Sequence, residues 1–157
     1  MDTTEIQLSI IERLQQDLRI AQDALRASHE AATHAESKAE NKYDTRGLEA
    51  AYLADGQRRR VHEIEAALAA YRNLKAERGD GGIRIGALVA LEHEEGERWV
   101  YLGPDGAGLK LVAEGREILV ISPRSPLGQA LLGREQDDEV EIRVNGQRQH
   151  YLIRERY

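Results

Sequence analysis

"ERGDGGIRIG", residues 77–86, is the point at which the chain changes its rhythm. Gly79, Asp80, Gly81 and Gly82 end a helical pattern, because glycine weakens a helix and frees the backbone to turn. Beyond them Ile83, Ile85, Ala87, Val89 and Leu91 alternate with other residues, which predicts a half-buried strand. The joint divides the chain into residues 1–78 and 79–157, each with its own period.

Before the joint, Ile11, Leu14, Leu18, Ala21, Leu25, Ser28, Ala32, Ala35 and Ala39 follow alternating steps of three and four. That spacing is the seam of a coiled coil. Val61, Ile64, Leu68 and Tyr71 repeat it on a returning segment, continued backward by Ala54 and Ala50. The seam shrinks from Ile and Leu to Ala toward the bend, so it buries less and stabilises less there. Asp44 or Thr45 can cap the second helix, and Gly47 relaxes the chain near its first turn. Two antiparallel helices of about 30 residues, at ~1.5 Å per residue, give a rod of roughly 45 Å. The same periodicity also fits a coiled coil that dimerises and uses its second half as an adaptor.

After the joint, strands are expected at 99–102, 109–112, 117–121, 140–144 and 150–154. "GPDG" at 103–106 and Asn145-Gly146 are turn signals, the latter a strong hairpin mark. "SPLGQALLG" reads as a short helix, with Ser125 as its cap, Pro126 at its first position and Gly133 at its end. The expected fold class is α+β. An antiparallel coiled-coil hairpin precedes a small, mainly antiparallel sheet with one short helix.

The bulk properties narrow the function. With 157 residues the chain can hold one ordinary domain or two small modules. Its net charge is −6, and both halves are acidic: 12 basic against 14 acidic groups in residues 1–78, and 10 against 14 in residues 79–157. That argues against tight, sequence-independent duplex binding, which needs a clustered basic surface. The absence of cysteine excludes disulfides, thiolate zinc sites and a cysteine nucleophile. "MDTTEIQLSI" has neither the basic nor the apolar region of a signal peptide, and no apolar run approaches the ~20 residues that cross a bilayer. A cytoplasmic protein is expected, with no membrane partner. The histidines at 29, 34, 62, 93 and 150 lack ligand spacing, and no Walker loop or GxSxG is present. Arg58, Arg59 and Arg60 read as a solvated helix face, or as a contact with a protein channel or nucleic acid.

At "ISPRSPLGQALLGREQDDEVEI", residues 121–142, the sequence resembles the C-terminal domain of the bacterial Gre transcript-cleavage factors. The matching positions are Ser122-Pro123, Ser125-Pro126-Leu127-Gly128, Ala130-Leu131-Leu132-Gly133, then Asp138, Val140 and Ile142. The resemblance implies an FKBP-like second half and a monomer whose hairpin is intramolecular. It also implies RNA polymerase as the partner, with nascent RNA or DNA of the elongation complex nearby. The family's C-terminal domain docks at the rim of the polymerase secondary channel, which assigns that contact here to Ser122, Pro123, Ser125, Pro126, Leu127 and Gly128. The coiled coil enters the channel, where tip acids help hold a second Mg²⁺ that activates water to cleave extruded RNA. Such a factor is not an enzyme by itself and binds no cofactor stably. It shares Mg²⁺ with the polymerase.

The tip falls within "AESKAENKYDTRGLEA", residues 35–50. Gre tips resemble an acid, two intervening residues and Glu-Asn, with a tyrosine shortly after. Glu40-Asn41 and Tyr43 match, but the position of the leading acid is Ser37. Glu36 lies one residue earlier and Asp44 four after Glu40, so Glu36, Glu40 and Asp44 are the candidate tip acids, with Glu40 and Asp44 as the ligands to a shared Mg²⁺. Glu36 and Glu40 share a helix face, where like charges repel by ~0.2–0.5 kcal/mol without a counterion. The plainer reading is a solvated bend neutralised by Lys38 and Lys42. A channel-binding regulator or inhibitor that does not stimulate cleavage is the nearest alternative. Prolyl isomerase activity is set aside, because the chain has no phenylalanine and a single tryptophan, Trp99, to build an aromatic proline pocket.

Overall fold

The computed structural model describes residues 1–38, 45–75 and 81–157, with the side chains of 35–38 and 45–47 left aside. Two long helices, α1 (Thr3–Lys38) and α2 (Thr45–Asn73), form the helical hairpin. Six strands and a short helix follow: β1 (Leu88–His93), β2 (Gly96–Leu102), β3 (Lys110–Ala113), β4 (Arg116–Ile121), α3 (Pro126–Leu131), β5 (Glu139–Val144) and β6 (Gln147–Arg156). Helix α1 starts under Asp2, whose Oδ1 accepts the Thr4 N–H at 2.9 Å.

The described residues form two compact units, Glu12–Ala69 and a second made of Met1–Ile11 with Ala70–Tyr157. In the hairpin unit the apolar stripe follows the expected spacing. Leu14, Ala21, Ser28 and Ala32 are buried on α1, and Ala54, Val61, Ile64, Ala67 and Leu68 on α2. In the other unit Ile11 is half-buried whereas its neighbour Ile10 is fully buried, so the buried face there steps by one residue from the seam the heptads suggest.

The sheet of the second unit has the order β3-β4-β2-β1-β6-β5. Its pairings are antiparallel except β2 with β4, which run parallel, with Trp99 opposite Ile118 and Leu102 opposite Ile121. The sheet is therefore mixed. Asn145 and Gly146, at φ 53° and 79°, make the tight turn between β5 and β6 that the sequence announces. Glu114 and Gly115, at φ 50° and 74°, do the same between β3 and β4.

The strand expected from Ile83 to Leu91 is shorter and more deeply buried than alternation suggests. Gly86 takes φ 94°, the left-handed region, and redirects the chain, so β1 begins only at Leu88. From there Leu88, Val89, Ala90 and Leu91 are all buried, as are Trp99, Val100, Tyr101 and Leu102 on β2. Consecutive burial means that both faces of the central strands are covered. One face packs Val89, Leu91, Val100, Leu102, Tyr151 and Ile153 with Leu127 and Leu131 of α3. The opposite face meets the helix ends within the same unit. The fully buried Tyr71 stacks on Tyr101 at 6.5 Å between ring centroids. Gln7 Nε2 of α1 donates to the carbonyls of Tyr71 at 2.6 Å and Leu74 at 3.1 Å, fixing the two helix ends together.

Candidate functional site

The segment 121–138 joins β4 to β5 through α3, and its side chains sort into those that build it and those it presents. Ser125 caps α3: its Oγ accepts the Gly128 N–H at 3.1 Å and donates to the Ser122 carbonyl at 2.7 Å. Ser122 Oγ in turn accepts the Arg124 N–H at 3.0 Å. Pro126 occupies the first turn, where its missing N–H costs nothing. A Cβ on Gly128 would lie 2.0 Å from the Ser122 carbonyl oxygen, so only glycine lets the helix approach the turn this closely.

Downstream, Gly133 takes φ 78°, and its N–H donates to the Ile83 carbonyl at 2.8 Å. The Ile83 N–H donates to the Arg134 carbonyl at 2.7 Å, so the chain after the glycine joint is clamped against the end of α3. Asp138 Oδ2 accepts the Glu135 N–H at 2.9 Å and closes the turn into β5. Leu127 and Leu131 are buried in the core, where each contributes about 1.5–3 kcal/mol through the apolar area it removes from water.

The expected docking residues thus differ in exposure. Ser122, Pro123 and Ser125 are half-buried, Leu127 and Gly128 are buried, and Pro126 is exposed. The segment also exposes Arg124, Gln129 and Arg134, which the sequence pattern does not single out, and Leu132, which the motif includes. A signal was available: these positions lie inside the motif but are not needed by its cap, turn or core.

Glu36 lies within α1 with its side chain outside the description, and Glu40 and Asp44 lie outside the described residues. On the adjoining first turns of α2, Leu48, Tyr52 and Leu53 are 57%, 69% and 57% exposed. Among the described residues no group of three or more His, Asp or Glu side chains is placed to hold a metal ion. No described helix is long and apolar enough to cross a membrane.

The electrostatics of the second unit centre on tyrosines. Burial pushes Tyr71 well above the ordinary tyrosine range, reinforced by Tyr101 and by Asp105. Burial likewise pushes Tyr101 up to about 12. Trp99 cannot serve as an open aromatic pocket. It is 6% exposed, lies under the Arg116 guanidinium at 4.8 Å, stacks with Tyr157 at 6.2 Å, and its Nε1 donates to Glu97.

Residues 78–155 match the family described as "Transcription elongation factor, GreA/GreB, C-term". Among curated proteins, the transcription elongation factor GreA of Desulfovibrio desulfuricans is 39% identical over 98 residues, 60% of this chain and 56% of that protein. GreA of Mesomycoplasma hyopneumoniae is 35% identical over 92 residues, 55% of this chain and 51% of that protein. The chain thus spans about half the length of the curated relatives it matches. Among solved structures, the GreA factor homolog 1 (Gfh1) protein of Thermus thermophilus is 19% identical, with 94% of each chain covered and a TM-score of 0.37. The motif built around Ser125 and Gly128 lies inside the matched stretch, and through residues 78–155 the chain belongs to the GreA/GreB family.

Proposed function

We propose that this protein binds RNA polymerase at its secondary channel and modulates transcript elongation. The observation that carries this reading is the family match over residues 78–155, which contains the rigid turn and helix of 122–133. In this reading the exposed Arg124, Pro126, Gln129 and Leu132 meet the polymerase, while Ser122, Ser125 and Gly128 hold the presenting loop in shape. Arg58, Arg59 and Arg60 face channel walls or nucleic acid of the elongation complex. The apolar stripes of α1 and α2 are buried within a single chain, which favours a monomer over a dimeric adaptor.

Glu36, Glu40 and Asp44 are the acids that would assist the polymerase, with Glu40 and Asp44 as ligands to a shared Mg²⁺. Carboxylate oxygens suit this hard cation, which takes one or two from a protein and keeps several waters. When bound, Mg²⁺ supplies a Lewis acid that activates water. The residues of this chain contribute charge and position, and the reaction belongs to the polymerase.

A second reading is favoured by one feature of the sequence. Ser37 stands where the family's leading acid is expected, so the protein would occupy the channel and retune transcription without stimulating cleavage. RNA cleavage in a backtracked complex, with and without the protein and Mg²⁺, separates the two. Stimulation that disappears in Glu40→Ala or Asp44→Ala supports the cleavage reading. Binding without stimulation supports the regulator, and failure to bind polymerase defeats both.

A further inference from the structure

Helix α3 has six residues, too few to hold its own shape, since so short a helix gains little beyond its first turn. Its start is fixed by the Ser125 cap and by the approach of Gly128 to the Ser122 carbonyl. Its end is fixed from outside the segment, by Gly82 and Ile83. Gly82 is buried at φ 64°, and a Cβ there would lie 2.6 Å from the Gly133 carbonyl oxygen. The Ile83 side chain is 1% exposed and belongs to the same core cluster as Leu127 and Leu131. Its N–H donates to the Arg134 carbonyl at 2.7 Å, and its carbonyl accepts the Gly133 N–H at 2.8 Å. Leu132, Gly133 and Arg134 are themselves exposed.

We propose that Gly82 and Ile83 are positioning residues for polymerase docking, a strap that holds the end of α3 so that Leu132 and Arg134 are presented in a fixed place. The inference rests on the reading that this segment meets RNA polymerase. Bonds within the segment do not achieve this. The Leu132 N–H donates to the Gly128 carbonyl at 3.1 Å and the Arg134 N–H to the Leu131 carbonyl at 3.0 Å, so both only close local turns. The strap enters from a part of the chain distant in sequence and pairs by two backbone bonds, which fix distance and direction together. Gly82 is the member that no side chain can replace. Any other residue there meets both a left-handed backbone and the Gly133 carbonyl. A side chain already held in its bound place loses less freedom on association. A loosened strap therefore lowers affinity without removing a single contact residue.

The test pairs amide hydrogen exchange of the full chain with its affinity for purified RNA polymerase. In the parent, the Ile83 and Gly133 amides should exchange slowly and at a common rate, because one local opening frees both. Gly82→Ala should speed exchange at both while the amides of β1 and β6 keep their protection. It should also weaken polymerase binding about tenfold, the penalty for ordering one or two side chains on association. Gly133→Ala strains the same turn at φ 78° but with nothing within 4 Å of its Cβ, so it loosens the strap without a clash. It should shift both readouts in the same direction. Gly115→Ala is the control, a similar strain at φ 74°, also in open space, in the turn between β3 and β4. It should leave polymerase binding unchanged. The inference is overturned if both strap variants bind as the parent does, or if Gly115→Ala weakens binding as much. It is also overturned if β1 and β6 lose protection together with Ile83 and Gly133, which would make the role one of overall stability. A parent chain that fails to bind polymerase overturns the underlying reading, and this inference with it.

Discussion

The Tyr71 hydroxyl donates to the Asp105 carbonyl at 2.6 Å, tying the last turns of α2 to the loop between β2 and β3. The bond is enclosed. A Cβ on Gly103 would lie 2.2 Å from the same hydroxyl, and the Tyr71 ring stacks on Tyr101. Removing the donor leaves a part-buried carbonyl unpaired, which costs about 1–3 kcal/mol. Tyr71→Phe should therefore lower the urea midpoint with an unchanged slope. An unshifted midpoint would mean that water replaces the hydroxyl.

The same two tyrosines set an alkaline limit. Tyr71 and Tyr101 ionise in the folded state above the usual value of 10.0, Tyr101 near 12, because burial penalises the phenolate. Between 10 and 12 the unfolded chain loses these protons while the folded chain retains them, so unfolding is favoured as pH rises. Their contribution is complete below pH 10 and lost as pH passes the folded values. Tyrosinate absorbance and circular dichroism followed together should show part of the tyrosine ionisation coinciding with loss of the fold.

Gly128 is required by backbone crowding, and Ser125 by capping. Gly128→Ala would force a methyl against the Ser122 carbonyl, at a cost of ~1–3 kcal/mol or more. Ser125→Ala removes the cap and should cost about 0.5–2 kcal/mol. Chemical denaturation of both variants orders the effects, and a neutral Gly128→Ala would contradict the tight turn.

Core and rim of the same segment should separate experimentally. Leu131→Ala empties a buried position and should cost about 2–5 kcal/mol. Arg124→Glu and Leu132→Ser, at exposed positions, should stay within roughly 0.5 kcal/mol of the parent. If this face meets RNA polymerase, the two exposed changes should weaken that binding while thermal unfolding stays put. A pull-down paired with a melting curve reads both.

Much of the fold is legible because local signals agree with one another. The heptads mark the stripe that Leu14, Ala21, Val61 and Ile64 bury, and Asn145-Gly146 fixes a hairpin register. Ser125 and Pro126 announce the start of α3 from cap chemistry alone. The parallel pairing of β2 with β4 was not legible, since nothing in either strand names a partner distant in sequence. Gly86 looks like any glycine until its φ of 94° shows that it ends the run from Ile83. The double burial of β1 was written in the unbroken "ALVAL" of 87–91, where alternation of every second residue hides the apolar residues between. At the candidate site, the motif residues were visible because their backbone geometry demands special side chains. Arg124 and Gln129 meet no such demand, so only their place between the motif residues, not their type, marks them.

The pairing of Met1–Ile11 with Ala70–Tyr157 in one compact unit has a consequence for biosynthesis. A ribosome releases Ile6 and Ile10 early, yet the sheet unit to which they belong is not finished until β6 emerges. The hairpin can gather along Glu12–Ala69 during translation, while Ile6 and Ile10 wait with apolar side chains unsheltered. Contacts between segments far apart in sequence close late and slowly, because the intervening chain must first lose its entropy. A substitution that slows assembly of the sheet would therefore be felt at Ile6 and Ile10, as prolonged exposure to chaperones and proteases.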